Sequence, residues 1–301
     1  MSLDLESVRV FVKVAELASF TRAAEQLGMP KARASARVRA LEAEVGARLL
    51  HRTTRAVRLT PDGETFLLRA RRLLADADEL GALFAAPSAL RGLVRVDLPV
   101  ILARSQIIPR LPELLAAHPG LELQLSSTDR RVDVVKEGFD CVLRIGPLGD
   151  SPLKARRLGM LHLVNCASPA YLLRHGTPLT PGDLDRHFIV HYSPSLGADP
   201  PGFEHAAPGG YQERRMRCLV TVNNADAYEA ACRAGLGIIQ APRMGLSAAL
   251  ARGELIEILA DYPARPMPVS LIHAHGTRVP RRARTVMSWI AQVLTPLLDP
   301  A

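Results

Sequence analysis

With 301 residues, 48% of them hydrophobic and 23% charged, the chain has apolar material for two or three domains and is too long for one small one. Its formal charge of +8 implies a polyanionic partner only where that charge is clustered. No apolar run reaches the ~18 residues of a membrane span, and MSLDLESVRV opens with acids instead of a signal-like apolar stretch. Cys141, Cys166, Cys218 and Cys232 lie far apart with no C-x-x-C, so reduced, mostly buried thiols and a cytoplasmic location are expected.

Asp4 is placed to cap a first helix whose inward face is Leu5, Val8, Phe11, Val12 and Ala15. Ser19 or Thr21 caps a second, in which Phe20, Ala23, Ala24 and Leu27 fall on one face. Gly28-Met29-Pro30 breaks it, and Pro30 or Lys31 opens a third helix with Ala34, Val38, Leu41 and Val45 inward. Between Ser19 and Arg58 stand nine basic residues (Arg22, Lys31, Arg33, Arg37, Arg39, Arg48, Arg52, Arg55, Arg58) against Glu25, Glu42 and Glu44, so the positive charge is clustered here. Two short helices across a tight turn, the second carrying Lys31, Arg33, Ser35 and Arg37, have the layout of a helix-turn-helix. HRTTRAVRLT, residues 51–60, follows as a short strand or wing with outward arginines.

Thr60-Pro61-Asp62 starts a further helix with a capping hydroxyl, proline at its first position and an acid in its first turn. Phe66, Ala70, Leu73, Ala77, Leu80 and Phe84 then form an a/d seam flanked by charges. Such a stripe either lies on its own domain or zips to a second copy, and the polar flanks favour the dimer. Pro87 closes the helix as a hinge.

From Arg91 strands and helices alternate: strand 93–99, helix 104–117, strand 121–127, helix 130–137, strand 139–145. That order predicts a parallel, doubly wound sheet with ligands at the strands' C-terminal ends. A second, similar lobe is read in strands 161–167, 188–192, 216–222 and 235–242 with helices 170–175, 225–234 and 244–252. Strand 267–274 and a terminal helix over 280–298, with Val286, Ile290, Val293 and Leu297 inward, complete the chain. Two α/β lobes joined by crossover strands suit a small-ligand sensor that closes on its ligand.

The N-terminal residues Phe11, Val14-Ala15-Glu16, Ser19-Phe20-Thr21, Ala23-Ala24, Leu27, Ser35, Leu41-Glu42, Gly46, Leu49, Arg52, Arg55, Leu59-Thr60 and Gly63, as an ordered set, resemble the LysR-type transcriptional regulators. The rest is similar at lower density, at Gly92, Val94-Arg95-Val96, Pro109, Leu111-Pro112, His118-Pro119, Asp133-Val134-Val135, Gly138-Phe139-Asp140, Arg144 and Ala234-Gly235-Leu236-Gly237-Ile238. The resemblance implies a winged helix-turn-helix over 1–60, a dimerising linker helix over 61–87 and a two-lobed, periplasmic-binding-protein-like α/β effector domain over 91–301. Lobe I would take residues 91–161 and 268–301, and lobe II residues 162–267. It further implies dimers or tetramers on inverted-repeat, double-stranded DNA, answering to a small molecule in the cleft. No membrane partner, cofactor or metal is expected.

Pro30-Lys31-Ala32 stands where the family often has Ser-Gln-Pro, and Arg37 where a glutamine is common. Added cations raise sequence-independent phosphate affinity and shift base preference from adenine toward guanine. The DNA-contact set is therefore Thr21, Lys31, Arg33, Ser35 and Arg37 on the helices and Arg52, Thr54, Arg55 and Arg58 at the wing; Arg39 and Arg48 read equally as surface charges. Where many members place Ser or Thr after the first strand of the effector domain, this chain has Pro99-Val100-Ile101-Leu102. An apolar or aromatic effector is expected, with Val100, Arg104, Thr128, Arg144, Asn223, Asn224 and Gln240 at the cleft. Thr128 and Asn224 read equally as helix caps, and Arg144 as half of an ion pair with Asp140 or Asp133.

G-x-S-x-G, Walker A, H-E-x-x-H and G-x-G-x-x-G are absent, so no enzymatic activity is expected. His273-Ala-His275 has no third ligand and reads as ordinary strand histidines. The rival reading is a cytoplasmic ligand-binding or metabolic α/β protein whose basic module only assembles it.

Overall fold

The computed structural model describes residues 3–52, 57–81, 90–149, 153–197, 200–275 and 279–300, without the side chains of Arg52, Arg72, Ala75, Asp78 and Glu79. They form two units, residues 1–92 with 135–138 and residues 93–134 with 139–301.

In the first unit, Asp4 caps α1 (Leu5–Leu17), accepting from the Glu6 and Ser7 amides at 3.1 Å each. Of the expected inward face, Val8, Phe11 and Val12 are buried whereas Leu5 is exposed. Ser19 caps α2 (Phe20–Gln26), and α3 (Lys31–Val45) follows from Pro30 and stops at Gly46, in the left-handed region at φ 71°. Val8, Phe11, Val14, Ala24, Ala34, Val38 and Leu41 close one core. Each large side chain there contributes about 1.5–3 kcal/mol by leaving water.

The wing, β1 (Leu50–Arg52) antiparallel to β2 (Val57–Leu59), pairs Leu50 with Leu59. Glu42 fixes it to α3 by accepting from both the Leu49 and Leu50 amides, at 2.9 and 3.1 Å. Thr60 accepts from the Gly63 amide at 2.9 Å and donates to the Arg48 carbonyl at 2.6 Å, opening α4 (Pro61–Gly81).

The expected seam on α4 divides in two. Ala70 is buried in the head's own core, and Phe66 packs edge-on against Phe11 with ring centroids 5.3 Å apart. The first part therefore belongs to its own domain, because α1 lies on it. Leu73 and Leu80 are 41% and 72% exposed and remain for another surface. Phe84 lies outside the described residues.

β3 (Arg91–Leu98) leads into the second unit and is followed by a helical run of mixed pitch: α5 (Val100–Leu102), a π turn Ala103–Ile107, a 3₁₀ turn Ile108–Arg110 and α6 (Leu111–Ala117). The expected helix thus begins earlier, at Val100. β4 (Gly120–Ser127), β5 (Cys141–Ile145) and β6 (Lys154–Leu161) follow. Residues 130–137 form no helix. Val134 is buried against Phe139 and Val142, and Phe139 donates its amide to the Val134 carbonyl at 3.1 Å, closing a turn. So short a segment with β-branched Val132, Val134 and Val135 gains more from that packing than from a single helical turn.

The second lobe holds β7 (Leu163–Ala167), α7 (Pro169–His175), β8 (Phe188–Tyr192), the hairpin β9 (Gly202–Ala207) and β10 (Gly210–Arg215), then β11 (Arg217–Val222). After these come α8 (Ala225–Arg233), β12 (Ile239–Pro242), α9 (Arg243–Ala251) and β13 (Ile256–Glu257). β14 (Met267–His273) returns to the first lobe, and α10 (Arg281–Leu294) covers it. The main sheet runs β4-β3-β5-β14-β6. β3 and β5 are parallel, but β14 is antiparallel to both β5 and β6, so the sheet is mixed where a parallel one was expected. In the other lobe β7 pairs antiparallel with β12 and β13, while β11 and β8 are parallel.

Val286, Ile290 and Val293 face inward on α10. Leu297 is 47% exposed, because Pro296 lacks the amide a continuing helix needs and a 3₁₀ turn carries the chain away. Arg282, at the start of α10, is buried with Nε donating to the Leu93 carbonyl at 3.1 Å. All four cysteines are free, and Cys141, Cys166 and Cys232 are buried.

A Cβ at Gly63 would stand 1.9 Å from the Leu49 carbonyl oxygen, which is backbone and cannot move aside, whereas one at Gly81 meets nothing within 4 Å. Gly63→Ala is expected to destabilise the head by at least about 1–3 kcal/mol. Gly81→Ala, on the same helix, should be neutral or stabilising. Urea unfolding of both variants checks this, and equal midpoints would refute the close approach.

Candidate DNA-binding and effector surfaces

Lys31 and Arg33 project exposed from the first turn of α3, Thr21 is exposed on the first turn of α2, and Arg58 is exposed on β2. Ser35 is half-buried. Thr54 and Arg55 lie outside the described residues, as does the Arg52 side chain. Arg37 departs from expectation. Its Nη1 meets the Asp4 carboxylate at 2.7 Å and its Nη2 the Glu6 carboxylate at 2.6 Å, so the guanidinium faces the start of α1 instead of standing free beside Arg33. Two acids within hydrogen-bond reach outcompete solvent for one planar cation. Asp4 is held below the usual carboxylate range, first by the Ser7 hydroxyl and further by backbone amides and Arg37. Arg39, Arg48 and His51, with Glu42, border a concavity of about 650 Å³ between the C-terminal half of α3 and β1. Their common position supports phosphate contact for two arginines that the sequence left ambiguous.

In the effector domain, Val100, Thr128 and Arg144 gather around two acids that sequence reasoning passed over. Asp97, fully buried at the end of β3, accepts from Arg144 Nη1 at 2.8 Å and from the Thr128 hydroxyl at 3.2 Å. The expected partner of Arg144, Asp140 or Asp133, is therefore replaced by Asp97 on the neighbouring parallel strand β3, whose register partner Val142 lies two residues before Arg144. Asp140 instead accepts from the Arg95 amide at 2.8 Å and lies 3.4 Å from His275. Asp129 accepts from the Val100 amide at 3.0 Å and from the Ala225 amide at 2.7 Å. The Tyr192 phenol is pushed up by burial and then by the facing Asp129 carboxylate, so it remains protonated.

The other expected cleft residues have different occupations. Arg104 bridges to Asp226 and Glu229 on α8 at 2.9 Å each, a tie across the lobes. Asn224 caps α8 by accepting from the Ala227 amide at 2.9 Å, as the capping alternative had it. Asn223 is exposed. Gln240 is spent inside the second lobe, donating to Asn165 and the Glu204 carbonyl at 2.7 Å each and accepting from the Glu204 amide at 2.9 Å. It is not grouped with the cleft, because the hairpin β9/β10 uses it as a clasp. The His273 and His275 rings stack with centroids 6.0 Å apart. A lone acid in an apolar strand (LVRVDLP) and an acid at a strand's end were the signals for Asp97 and Asp129.

A three-helix head with a wing and a long following helix, joined in one chain to a two-lobed mixed α/β domain, defines a ligand-responsive DNA-binding regulator. Residues 5–64 match the bacterial regulatory helix-turn-helix family of lysR type, and residues 87–295 match the LysR substrate binding domain. The chain is 46% identical to the HTH-type transcriptional regulator YhjC of Escherichia coli (strain K12), over 98% of this chain and 99% of that one. It is 34% identical to an HTH-type transcriptional repressor of Pseudomonas aeruginosa (strain UCBPP-PA14), over 96% and 92%. The LysR-type regulator CrgA of Neisseria meningitidis superposes with a TM-score of 0.61 at 28% identity, covering 95% of this chain and 97% of that one. The chain belongs to the LysR-type transcriptional regulators, proteins that bind DNA and small-molecule effectors and form oligomers.

Asp97→Ala would leave the Arg144 cation in the sheet without its counter-charge. Removing one partner of a buried pair costs about 3–5 kcal/mol, so the effector domain should unfold at clearly lower urea. A midpoint equal to wild type would show that the pair carries no such constraint.

Proposed function

We propose that residues 1–60 grip promoter DNA, that 61–87 pair with a second copy, and that 91–301 hold a small effector between lobe I (91–161 and 268–301) and lobe II (162–267). Lys31 and Arg33 enter the major groove from α3, Thr21 holds phosphate at the start of α2, and Arg52, Thr54, Arg55 and Arg58 act at the wing on phosphates or in the minor groove. The observation that carries this reading is the exposure of Lys31 and Arg33 on a helix that Glu42 ties to its wing through two backbone amides. A recognition helix and wing that move as one body present their cations at a fixed spacing, which duplex DNA requires. Ser35 and Arg37 are second-rank contacts, the first half-buried and the second already paired.

The regulator works without catalysis, in the cytoplasm, as a homodimer or a tetramer on an inverted-repeat site. Its effector is apolar or aromatic in its bulk, because Val100, Ile101 and Leu102 follow β3 where a hydroxyl would otherwise stand. Effector binding shifts the population between lobe arrangements, and the spacing of the paired heads changes with it.

Promoter binding measured against salt tests the head. The slope of log affinity against log salt becomes shallower by about 0.9 for every DNA phosphate that a variant leaves unneutralised. Arg33→Ala and Lys31→Ala should weaken binding, and Arg37→Ala should change the slope less than either. Wild-type affinity in Arg33→Ala/Lys31→Ala would overturn the assignment.

Leu80→Glu tests the pairing of α4. Light scattering should give a smaller assembly with the head still folded, since Leu80 is 72% exposed and outside the head core. An unchanged mass would remove α4 from the interface.

A further inference from the structure

Asp129 stands between two pieces of chain that are far apart in sequence. One carboxylate oxygen accepts from the Val100 amide, at the first turn of the helical run beyond β3, at 3.0 Å. The other accepts from the Ala225 amide, the first residue of the nine-residue α8, at 2.7 Å. Asn224 already satisfies the Ala227 amide, so Ala225 would otherwise be an orphan donor at the positive end of α8. β4, which delivers Asp129, belongs to the five-stranded sheet, whereas α8 packs in the second lobe through Tyr228, Ala231 and Cys232. The Thr128 amide donates to the Leu98 carbonyl at 3.1 Å and its hydroxyl to Asp97 at 3.2 Å, so the residue beside Asp129 is anchored twice to β3. The carboxylate is thus held on one lobe and bonded to backbone on both.

We propose that Asp129 is an internal latch: its carboxylate occupies the seat between the lobes that a ligand's anionic group would take, holds them together without one, and yields when a ligand displaces it. What displaces it rests on the effector-cleft reading above; the latch itself does not. Asp129 is a positioning residue here, acting on the lobes through two amides. The Arg104 bridges to Asp226 and Glu229 lie closer to solvent and contribute less to closure.

Amide hydrogen exchange on the full-length protein, with Asp129→Ala and Asp129→Asn, tests this. In Asp129→Ala, exchange at Val100 and Ala225 should rise by about tenfold or more, while β3 and β5 keep their protection. Acetate added to that variant should restore protection at both amides, and it should leave wild type unchanged because the seat is filled. Asp129→Asn keeps the shape but only one acceptor oxygen, so a folded Asn variant should lose protection at one of the two amides. Arg104→Ala should change either rate by less than about threefold. Unchanged exchange at Val100 and Ala225 in the Asp129 variants, or an acetate response equal in wild type and Asp129→Ala, would overturn the latch. Failure of wild type to bind any promoter would remove the regulator reading and leave these outcomes intact.

Discussion

A cation and an anion enclosed between strands set the geometry of the effector domain. Asp97 is fully buried, and in an apolar sheet a lone carboxylate would cost several kcal/mol. Arg144 and Thr128 meet it from β5 and from the end of β4, so three strands must end at one place for the charge to be tolerated. Hydrophobic burial alone would accept small slips of those strands; this pair does not. Because Thr128 is fixed, Asp129 is fixed with it, and the next carboxylate points across to α8. The placement of the cleft therefore follows from a solvation constraint inside one sheet.

The head is organised by similar economy with polar groups. Glu42 reads as one more surface acid on α3, yet it satisfies the two amides that lead into the wing. Asp4 caps α1 and, with Glu6, fixes Arg37. Counting charges between Ser19 and Arg58 therefore overstates what is free to meet a polyanion, since Asp4 and Glu6 lie outside that window. The cations left exposed among the described residues, Arg22, Lys31, Arg33, Arg39, Arg48 and Arg58, come from α2, α3, the loop after it and the wing. DNA affinity depends on such uncommitted charge and not on composition.

Helices were legible wherever a cap coincided with a period: Asp4 before α1, Ser19 before α2, Thr60-Pro61 before α4 and Asn224 before α8. Central strands were legible as apolar runs. β6, KARRLGML, escapes such a reading because its first four residues are all exposed and three of them are charged, which erases the alternation that marks a strand. The hairpin β9/β10 escapes it too, although Gly209-Gly210 is a turn signal, because β10 has exposed or half-buried residues throughout. The direction of β14 is not written in its own residues, since a strand pattern is the same in either sense. Among the site residues, exposed cations were readable from type and spacing, whereas the partners of Arg37, Arg144 and Gln240 are contacts between distant segments that no local pattern encodes.

The apolar stretch Val100-Ile101-Leu102 takes on a different sense beside Asp129. A hydroxyl after the first strand would help to hold a ligand's carboxylate; here the backbone amide of Val100 does so for a carboxylate the chain itself supplies. The side chains of Ile101 and Leu102 are then free to be buried, and Ile101 lies where a Cβ at Gly245 of α9 would stand 2.2 Å from it. Glycine at 245 thus lets α9 approach the helical run beyond β3, and a second, apolar contact joins the lobes beside the polar one. Closure in this protein is consequently built from a directional bond and a dry contact together.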